Sequence, residues 1–125
     1  MERIIVDGLS FSLPLFIMAI GGIYSEKSGI VNLSLEGFQG FGAFTGAFAA
    51  VFASRSFGAD ATTAYVLAIL FAVIGACVYS LLYALVCIQF KANQTISGVV
   101  LNILATALTA YLTKFLNKRL FEAAS

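Results

Sequence analysis

The chain has 125 residues, of which 61% are hydrophobic and 10% are charged, with a net charge of +1 and a mean hydropathy of +1.00. Soluble domains usually carry about 25% charged residues, and short ones leave much of their surface exposed, so the composition excludes an ordinary soluble domain. The balanced charge gives no support for nucleic-acid binding. The sequence has no histidine and no thiol cluster, so we expect no metal site and no cofactor.

Charged residues divide the sequence into four hydrophobic elements, which are joined by short loops expected at 25–29, 55–62 and 91–95. The uncharged runs are 8–25, 37–54, 61–90 and 92–113. Each approaches or exceeds the roughly 20 residues that cross a bilayer as a helix. The pattern predicts an all-α, polytopic transmembrane helical bundle in which residues 1–125 form a single transmembrane region.

The first element, about Leu9–Tyr24, contains Pro14, the only proline of the chain. Proline is common in membrane helices, where neighbouring groups satisfy the carbonyl that it leaves unbonded. A kinked packing helix is the simpler interpretation, and a gating hinge is the alternative. The apolar start resembles a signal peptide, but further hydrophobic elements follow, so we expect a retained first span.

The second element lies in Gly29–Gly46 and beyond, and its polar and small residues follow one helical stripe. The stripe consists of Asn32, Glu36, Gln39, Ala43, Gly46 and Ala50. On the other side lie Phe41, Phe44, Phe48 and Phe52. We expect the stripe to face protein or water, and the phenylalanines to face lipid or other helices. Gly42 and Gly46 form a GxxxG pair that permits close helix contact.

Glu36 constrains where the second helix begins. A charged side chain at the centre of a membrane helix costs on the order of 2.5–3.5 kcal/mol. The cost falls if the helix starts near Leu35, because Glu36 then lies in the first turn, where the helix dipole favours an acid. Ser34 or Asn32 is then the expected cap. We therefore expect the second element to be broken or re-entrant near 30–36, with an ordinary interfacial loop as the alternative.

The third element, Ala64–Phe90, is long and uniformly apolar. Its small residues suit close helix packing, and its length predicts a tilted scaffold helix. These small residues are Ala68, Ala72, Gly75 and Ala76.

The fourth element, Ile96–Leu116, carries a stripe that is small at its start and polar beyond it. The stripe consists of Gly98, Asn102, Thr106, Thr109 and Thr113. It predicts either packing against another helix or the lining of a wet path. Residues 117–125 read as the start of a loop.

Basic residues predict the orientation of the chain. With four crossings, Lys27 and Lys91 lie on one side of the membrane. On the other side lie Arg3, Arg55, Lys114, Lys118 and Arg119. The excess of positive charge predicts that both termini are cytoplasmic, and a re-entrant second element would reverse everything after it.

Three ordered motifs carry a resemblance to a known family. The first motif is Glu26, Lys27, Ser28 and Gly29. Its lysine stands where the resembled family usually has arginine. The second is Asn32, Leu35, Glu36 and Gly37, with Leu-Ser between the asparagine and the LEG sequence. The third is Asn93, Gln94, Ile96, Ser97, Gly98, Leu101 and Asn102. Together they resemble the permease subunit of bacterial ABC importers for nucleosides and simple sugars, a family that includes the branched-chain amino acid and ribose importers.

The resemblance implies a larger helical permease fold, of which this chain is the amino-terminal portion. It also implies a bacterial plasma (inner) membrane protein without enzymatic activity of its own. The expected partners are the lipid bilayer, a second permease subunit, a cytoplasmic ABC ATPase and an extracellular substrate-binding lipoprotein, with no nucleic acid. The expected solutes are nucleosides or simple sugars, and only the resemblance favours nucleosides.

The resemblance and the stripes together nominate two sets of site residues. The expected substrate pathway contains Asn32, Glu36, Gln39, Asn93, Gln94, Ser97 and Asn102. The expected helix-packing glycines are Gly37, Gly42, Gly46 and Gly98. One alternative function is a self-contained four-helix, proton-coupled multidrug exporter using Glu36. The position of that acid near a helix start and the absence of tryptophan count against it. A membrane scaffold that transports nothing is the other alternative.

Overall fold

The computed structural model describes residues 1–121, and these form four α-helices. They are α1 (Glu2–Lys27), α2 (Leu35–Ser56), α3 (Ala61–Ala84) and α4 (Gln94–Leu116). Short π-helical turns, Leu85–Gln89 and Asn117–Phe121, continue α3 and α4. No strand occurs in the described part of the chain. The prediction of an all-α bundle with four hydrophobic elements is confirmed.

Three of the helical segments are long and apolar enough to cross a membrane. They are Glu2–Lys27, Ala61–Gln89 and Gln94–Leu120. The helix α2 is not among them, although its 22 residues are enough in length. Its mean hydropathy is lower because Glu36, Gln39 and several glycines lie in its first half.

The helices α2 and α3 are antiparallel. They pack closely because glycines of α2 lie directly on the backbone of α3. A Cβ atom at Gly46 would lie 2.6 Å from the Ala68 carbonyl oxygen, and one at Gly42 would lie 2.8 Å from that of Ala72. Thr45 adds a hydrogen bond, since its hydroxyl donates to the Phe71 carbonyl oxygen at 3.0 Å. The backbones approach this closely only because the side chains at the contact are small.

The helix α4 runs parallel to α2. Near the start of α2, Gly37 lies against Asn102. Further along, Phe44 and Val51 of α2 line one shallow cavity with Leu116 of α4. The carboxyl ends of α2 and α4 therefore lie at the same end of the bundle.

The helix α1 packs against only the first turns of α2. The closest approach is at Gly22, where a Cβ atom would lie 3.2 Å from Leu35 Cδ1. No residue of α1 is buried. Its apolar side chains are therefore available to lipid or to another membrane helix.

The small core lies between α2, α3 and α4 and is largely aromatic. Its buried members are Tyr79, Tyr83, Leu101 and Ala105. The Phe41 ring stacks on Tyr79 with 5.0 Å between ring centroids, and Phe38 contacts both tyrosines edge-on. These α2 phenylalanines face other helices, one of the two environments expected for this side of α2.

Several predicted boundaries differ from the structure. The helix α1 runs from Glu2 to Lys27 and is longer at both ends than the predicted Leu9–Tyr24, so part of the loop predicted at 25–29 is helical. The loop predicted from residue 117 is wrong for Asn117–Phe121, which continue α4 as a π-helical turn. No glycine or proline interrupts this stretch, and its Lys118 and Arg119 suit a helix carboxyl end. Residues 122–125 lie outside the described residues.

Candidate functional site

The non-helical backbone before α2 reaches about two turns along α4 from the start of that helix. Residues 30–34, here called the break segment, follow Gly29, whose φ of +89° turns the chain away from α1. Helix α2 then begins at Leu35, as predicted. Leu33 and Gly37 both bond to Asn102, which lies roughly 12 Å along α4 from its first residue at about 1.5 Å per residue. The break therefore lies alongside α4 and is not a loop at its end.

Side chains from three helices satisfy the backbone of the break segment. The Val31 amide donates to Gln94 Oε1 of α4 at 3.0 Å. The Tyr83 hydroxyl of α3 donates to the Val31 carbonyl oxygen at 2.8 Å, and the Ser25 hydroxyl of α1 donates to that of Ile30 at 3.1 Å. Irregular backbone at membrane depth is tolerated only with such partners or beside water.

Asn102 forms two hydrogen bonds across the break, here called the Asn102 clasp. Its Oδ1 accepts from the Gly37 amide at 2.8 Å, and its Nδ2 donates to the Leu33 carbonyl oxygen at 2.6 Å. Glycines make room for this arrangement. A Cβ atom at Gly98 would lie 2.8 Å from Leu33 Cβ, and one at Gly37 would lie 2.9 Å from Asn102 Oδ1.

The predicted cap of α2 by Ser34 or Asn32 is wrong. Ser34 occupies the cap position, but its side chain makes no capping hydrogen bond. Asn32 Oδ1 instead accepts from the amide of Ser34 at 2.9 Å and from its hydroxyl at 2.6 Å. These bonds hold a local turn, and Ser34 is completely buried. A helix cap normally satisfies the second or third amide of the helix, and here Asn102 of α4 supplies that bond to Gly37.

Glu36 and Gln39 lie on the exposed surface of α2. Both side chains are exposed, and neither makes a hydrogen bond within the described part of the chain. Gln39 lines a groove between α1 and α2 that also includes Pro14 and Ile17. Two unbonded polar side chains at this position on a membrane helix require water, a solute or a further protein segment.

The predicted polar and small stripe of α2 is not a single packed face. Gly46 is buried against α3, whereas Ala43 is exposed with Glu36 and Gln39. The reason is that Gly42 and Gly46 together turn the small-residue face of α2 toward the α3 backbone. This rotation leaves the polar positions outside the contact.

The remaining predicted polar residues lie on α4. Asn93 caps α4, since its Oδ1 accepts from the amides of Thr95 at 3.0 Å and Ile96 at 3.4 Å. Ser97 is buried. The threonine hydroxyls of the α4 stripe donate to carbonyl groups of their own helix. These threonines are Thr106, Thr109 and Thr113. Within the described residues they do not bond to another helix.

Sequence reasoning missed the part that α3 plays in this site. Tyr79 and Tyr83 lie within the uniformly apolar third element, yet both hydroxyls bond across helices. Tyr79 donates to the Leu101 carbonyl oxygen at 2.6 Å. The available signal was the i, i+4 spacing of two tyrosines inside an apolar run, because a buried tyrosine hydroxyl needs a partner.

Comparison with known families and proteins gives a consistent match. Residues 4–121 match the family described as branched-chain amino acid transport system / permease component. The chain is 39% identical over 108 residues to the guanosine ABC transporter permease protein NupQ of Bacillus subtilis (strain 168). That alignment covers 86% of this chain and 33% of NupQ.

Two further relatives have the same transporter class in their names. The nucleoside ABC transporter permease protein NupC of Lactococcus lactis subsp. cremoris (strain MG1363) is 36% identical over 112 residues, which cover 90% of this chain and 34% of NupC. The putative glucose ABC transporter permease protein TsgC13 of Haloferax volcanii is 33% identical over 100 residues, covering 78% of this chain and 27% of TsgC13. The chain thus spans about a third of the length of these relatives. No solved structure matches it.

Proposed function

The chain belongs to the family of branched-chain amino acid transport system permease components, and we propose that it supplies four helices of the permease of an ABC importer for nucleosides. The names of NupQ and NupC support nucleosides as the solute class. The name of TsgC13 supports a simple sugar as the second candidate. A purine nucleoside contains a sugar ring, so both solutes present hydroxyl groups to a polar path.

The observation that carries the proposal is the juxtaposition of the Asn102 clasp with unbonded polar side chains on the first turns of α2. The clasp fixes Gly37 beside α4. Glu36 and Gln39 then project from the same turns, exposed and without a hydrogen-bond partner in the described residues. A carboxylate and a carboxamide can accept hydrogen bonds from solute hydroxyls.

We divide the predicted pathway residues into two roles. Glu36 and Gln39 contact the solute, because their polar atoms are unbonded in the described part of the chain. Gln94 and Asn102 hold the break segment, because their side chains are already bonded to it. Asn32, Asn93 and Ser97 lie beside the path: Asn32 holds the turn before α2, Asn93 caps α4, and Ser97 is buried on α4.

Energy for transport comes from a separate subunit in this proposal. The sequence has no P-loop pattern, the motif that cradles ATP phosphates. The relatives named as ABC transporter permeases support a cytoplasmic ABC ATPase that drives alternating access, and a second permease subunit and further helices supply the other walls of the path. An extracellular substrate-binding lipoprotein delivers the solute. The alternative of a self-contained proton-coupled exporter has no support among the relatives, which are all named as ABC permeases.

The proposed location is the bacterial plasma membrane with both termini in the cytoplasm. The parallel arrangement of α2 and α4 brings Arg55 and the basic end of α4 to the same end of the bundle. Lys27, at the carboxyl end of α1, and Lys91, just after the turn that continues α3, lie at the other end of the bundle. The positive-inside rule then assigns the more basic end to the cytoplasm.

Reconstitution of the complete complex in proteoliposomes tests the proposal. The chain is assembled with its ATPase, partner permease and binding lipoprotein, and ATP-dependent uptake of labelled guanosine is measured. Uptake by the wild type with losses in Glu36→Ala and Asn102→Ala supports the assignment, and Glu2→Ala is the matched acidic control. Unchanged uptake in both variants at equal abundance removes these residues from the pathway.

A further inference from the structure

The two hydrogen bonds of the Asn102 clasp replace one helical hydrogen bond, which would otherwise join the Gly37 amide to the Leu33 carbonyl oxygen. In a continuous α-helix the amide of residue i donates to the carbonyl oxygen of residue i−4, so Gly37 would bond directly to Leu33. Here the Gly37 amide donates to Asn102 Oδ1, and Asn102 Nδ2 donates to the Leu33 carbonyl oxygen. The carboxamide of α4 therefore stands between the donor and the acceptor of this turn.

The sequence of the break segment permits a helix. Residues 30–34 read Ile-Val-Asn-Leu-Ser and contain neither proline nor glycine. Backward extension would stop at Gly29, whose φ of +89° is not helical. No bonded partner occurs in the described residues for the amides of Leu35 and Glu36, as is usual at a helix start. An extended helix would pair them with the carbonyl groups of Val31 and Asn32.

Most of the contacts that oppose extension come from neighbouring helices. Gln94 holds the Val31 amide and Tyr83 holds the Val31 carbonyl group. Gly98 lets the segment lie against α4, where a Cβ atom would meet Leu33. Within the break, only the Asn32 turn around Ser34 is local. The broken state of α2 therefore depends on the position of α4.

We propose that Asn102 is a positioning residue that holds residues 30–34 out of α2, and that its withdrawal lets α2 extend back to Ile30 as a continuous helix. Extension replaces the two clasp bonds with the direct bond from Gly37 to Leu33. It also changes the position of Asn32 relative to Glu36, because a helix shortens the chain to about 1.5 Å per residue. This extension of α2 does not depend on which solute is transported.

Solid-state NMR of the full chain in lipid bilayers tests this directly. Carbon chemical shifts of isotopically labelled Leu33 distinguish a helical from a non-helical conformation. Asn102→Ala removes the clasp chemically, and Gly98→Ala displaces Leu33 while leaving the carboxamide in place. We expect the Leu33 signal to move to helical values in both variants.

Two matched variants serve as controls. Thr106→Val removes a polar group one turn further along α4, where the hydroxyl bonds only to its own helix. Gly40→Ala adds a Cβ atom where no atom lies within 4 Å. Both should keep the wild-type Leu33 signal.

A non-helical Leu33 signal in an Asn102→Ala chain of normal helical content by circular dichroism overturns the proposal. If Asn102→Ala fails to fold, the Leu33 signal of Gly98→Ala decides in the same way. Loss of overall helical content in both variants also overturns it, because the clasp would then be required for folding and could not be released.

Discussion

The Tyr83 hydroxyl lies 2.8 Å from the Val31 carbonyl oxygen and joins α3 to the break segment. Tyr79, on the same face of α3, donates to the Leu101 carbonyl oxygen at 2.6 Å. The two carbonyl groups differ in whether they keep another hydrogen bond after the tyrosine hydroxyl is removed. The Leu101 carbonyl group keeps its helical partner in α4, whereas that of Val31 has no other partner in the described residues.

We therefore expect Tyr83→Phe to destabilise the chain more than Tyr79→Phe. The loss should be about 1–2 kcal/mol for Tyr83→Phe and about 0.6 kcal/mol for Tyr79→Phe, from the range and mean of hydrogen bonds between membrane helices. Reversible unfolding in mixed detergent micelles measures both, and Tyr111→Phe is an exposed tyrosine control. Equal losses for the two buried tyrosines would contradict this account.

Gly46→Ala should weaken the contact between α2 and α3. The new Cβ atom would lie 2.6 Å from the Ala68 carbonyl oxygen and 3.0 Å from Ala72 Cβ, so the helices must separate. We expect a loss of about 1–3 kcal/mol, the usual cost of overpacking. Gly40→Ala is the matched control and should stabilise α2 by up to about 1 kcal/mol. The same unfolding measurement compares them, and a neutral Gly46→Ala would show that the contact is looser than described.

Glu36→Gln should lower nucleoside uptake by the complete transporter without lowering its abundance. The side chain is exposed and makes no hydrogen bond in the described residues, so its charge contributes little to folding. The glutamine oxygen can still accept from a solute hydroxyl, but replacing a charged acceptor with a neutral one weakens that hydrogen bond by roughly 1 kcal/mol, or about fivefold in uptake at low solute concentration. Initial rates in proteoliposomes measure this, with Glu2→Gln as control. Wild-type rates in Glu36→Gln would exclude a charged contact with the solute.

Cysteine labelling checks the proposed orientation. Single cysteines replace Ser28, after α1, and Ser56, at the end of α2, in a chain whose Cys77 and Cys87 are changed to alanine. A membrane-impermeant maleimide added to intact spheroplasts should label position 28, because the basic end of the bundle is assigned to the cytoplasm. Position 56 should react only after permeabilisation. The reverse pattern would place both termini outside.

Local sequence signals predicted much of the fold. Hydrophobic runs predicted the four helices, and the position of Glu36 predicted the start of α2 at Leu35, because a charged side chain is tolerated best in a first helical turn. Both predictions depend on neighbouring residues and on the membrane as solvent. They required no knowledge of the tertiary contacts.

The features that were not predicted depend on distant residues. The cap of α2 comes from Asn102, which is 65 residues away from Gly37 in the sequence. The stripe containing Glu36 divides because the orientation of α2 is set by the fit of Gly42 and Gly46 to α3. Helical periodicity alone cannot reveal which of two adjacent faces packs.

The limited hydropathy of α2 has a consequence for membrane insertion. The segment 35–56 is not apolar enough to qualify as a span, whereas α3 is strongly apolar, and the translocon sorts segments by their apolarity. We expect 35–56 to integrate poorly alone and to integrate efficiently together with α3, as one hairpin. Glycosylation mapping of the two segments in microsomes measures this, and efficient integration of 35–56 alone would contradict it. Since Gln94 and Asn102 are synthesised later still, the start of α2 is completed only after α4 has emerged from the ribosome.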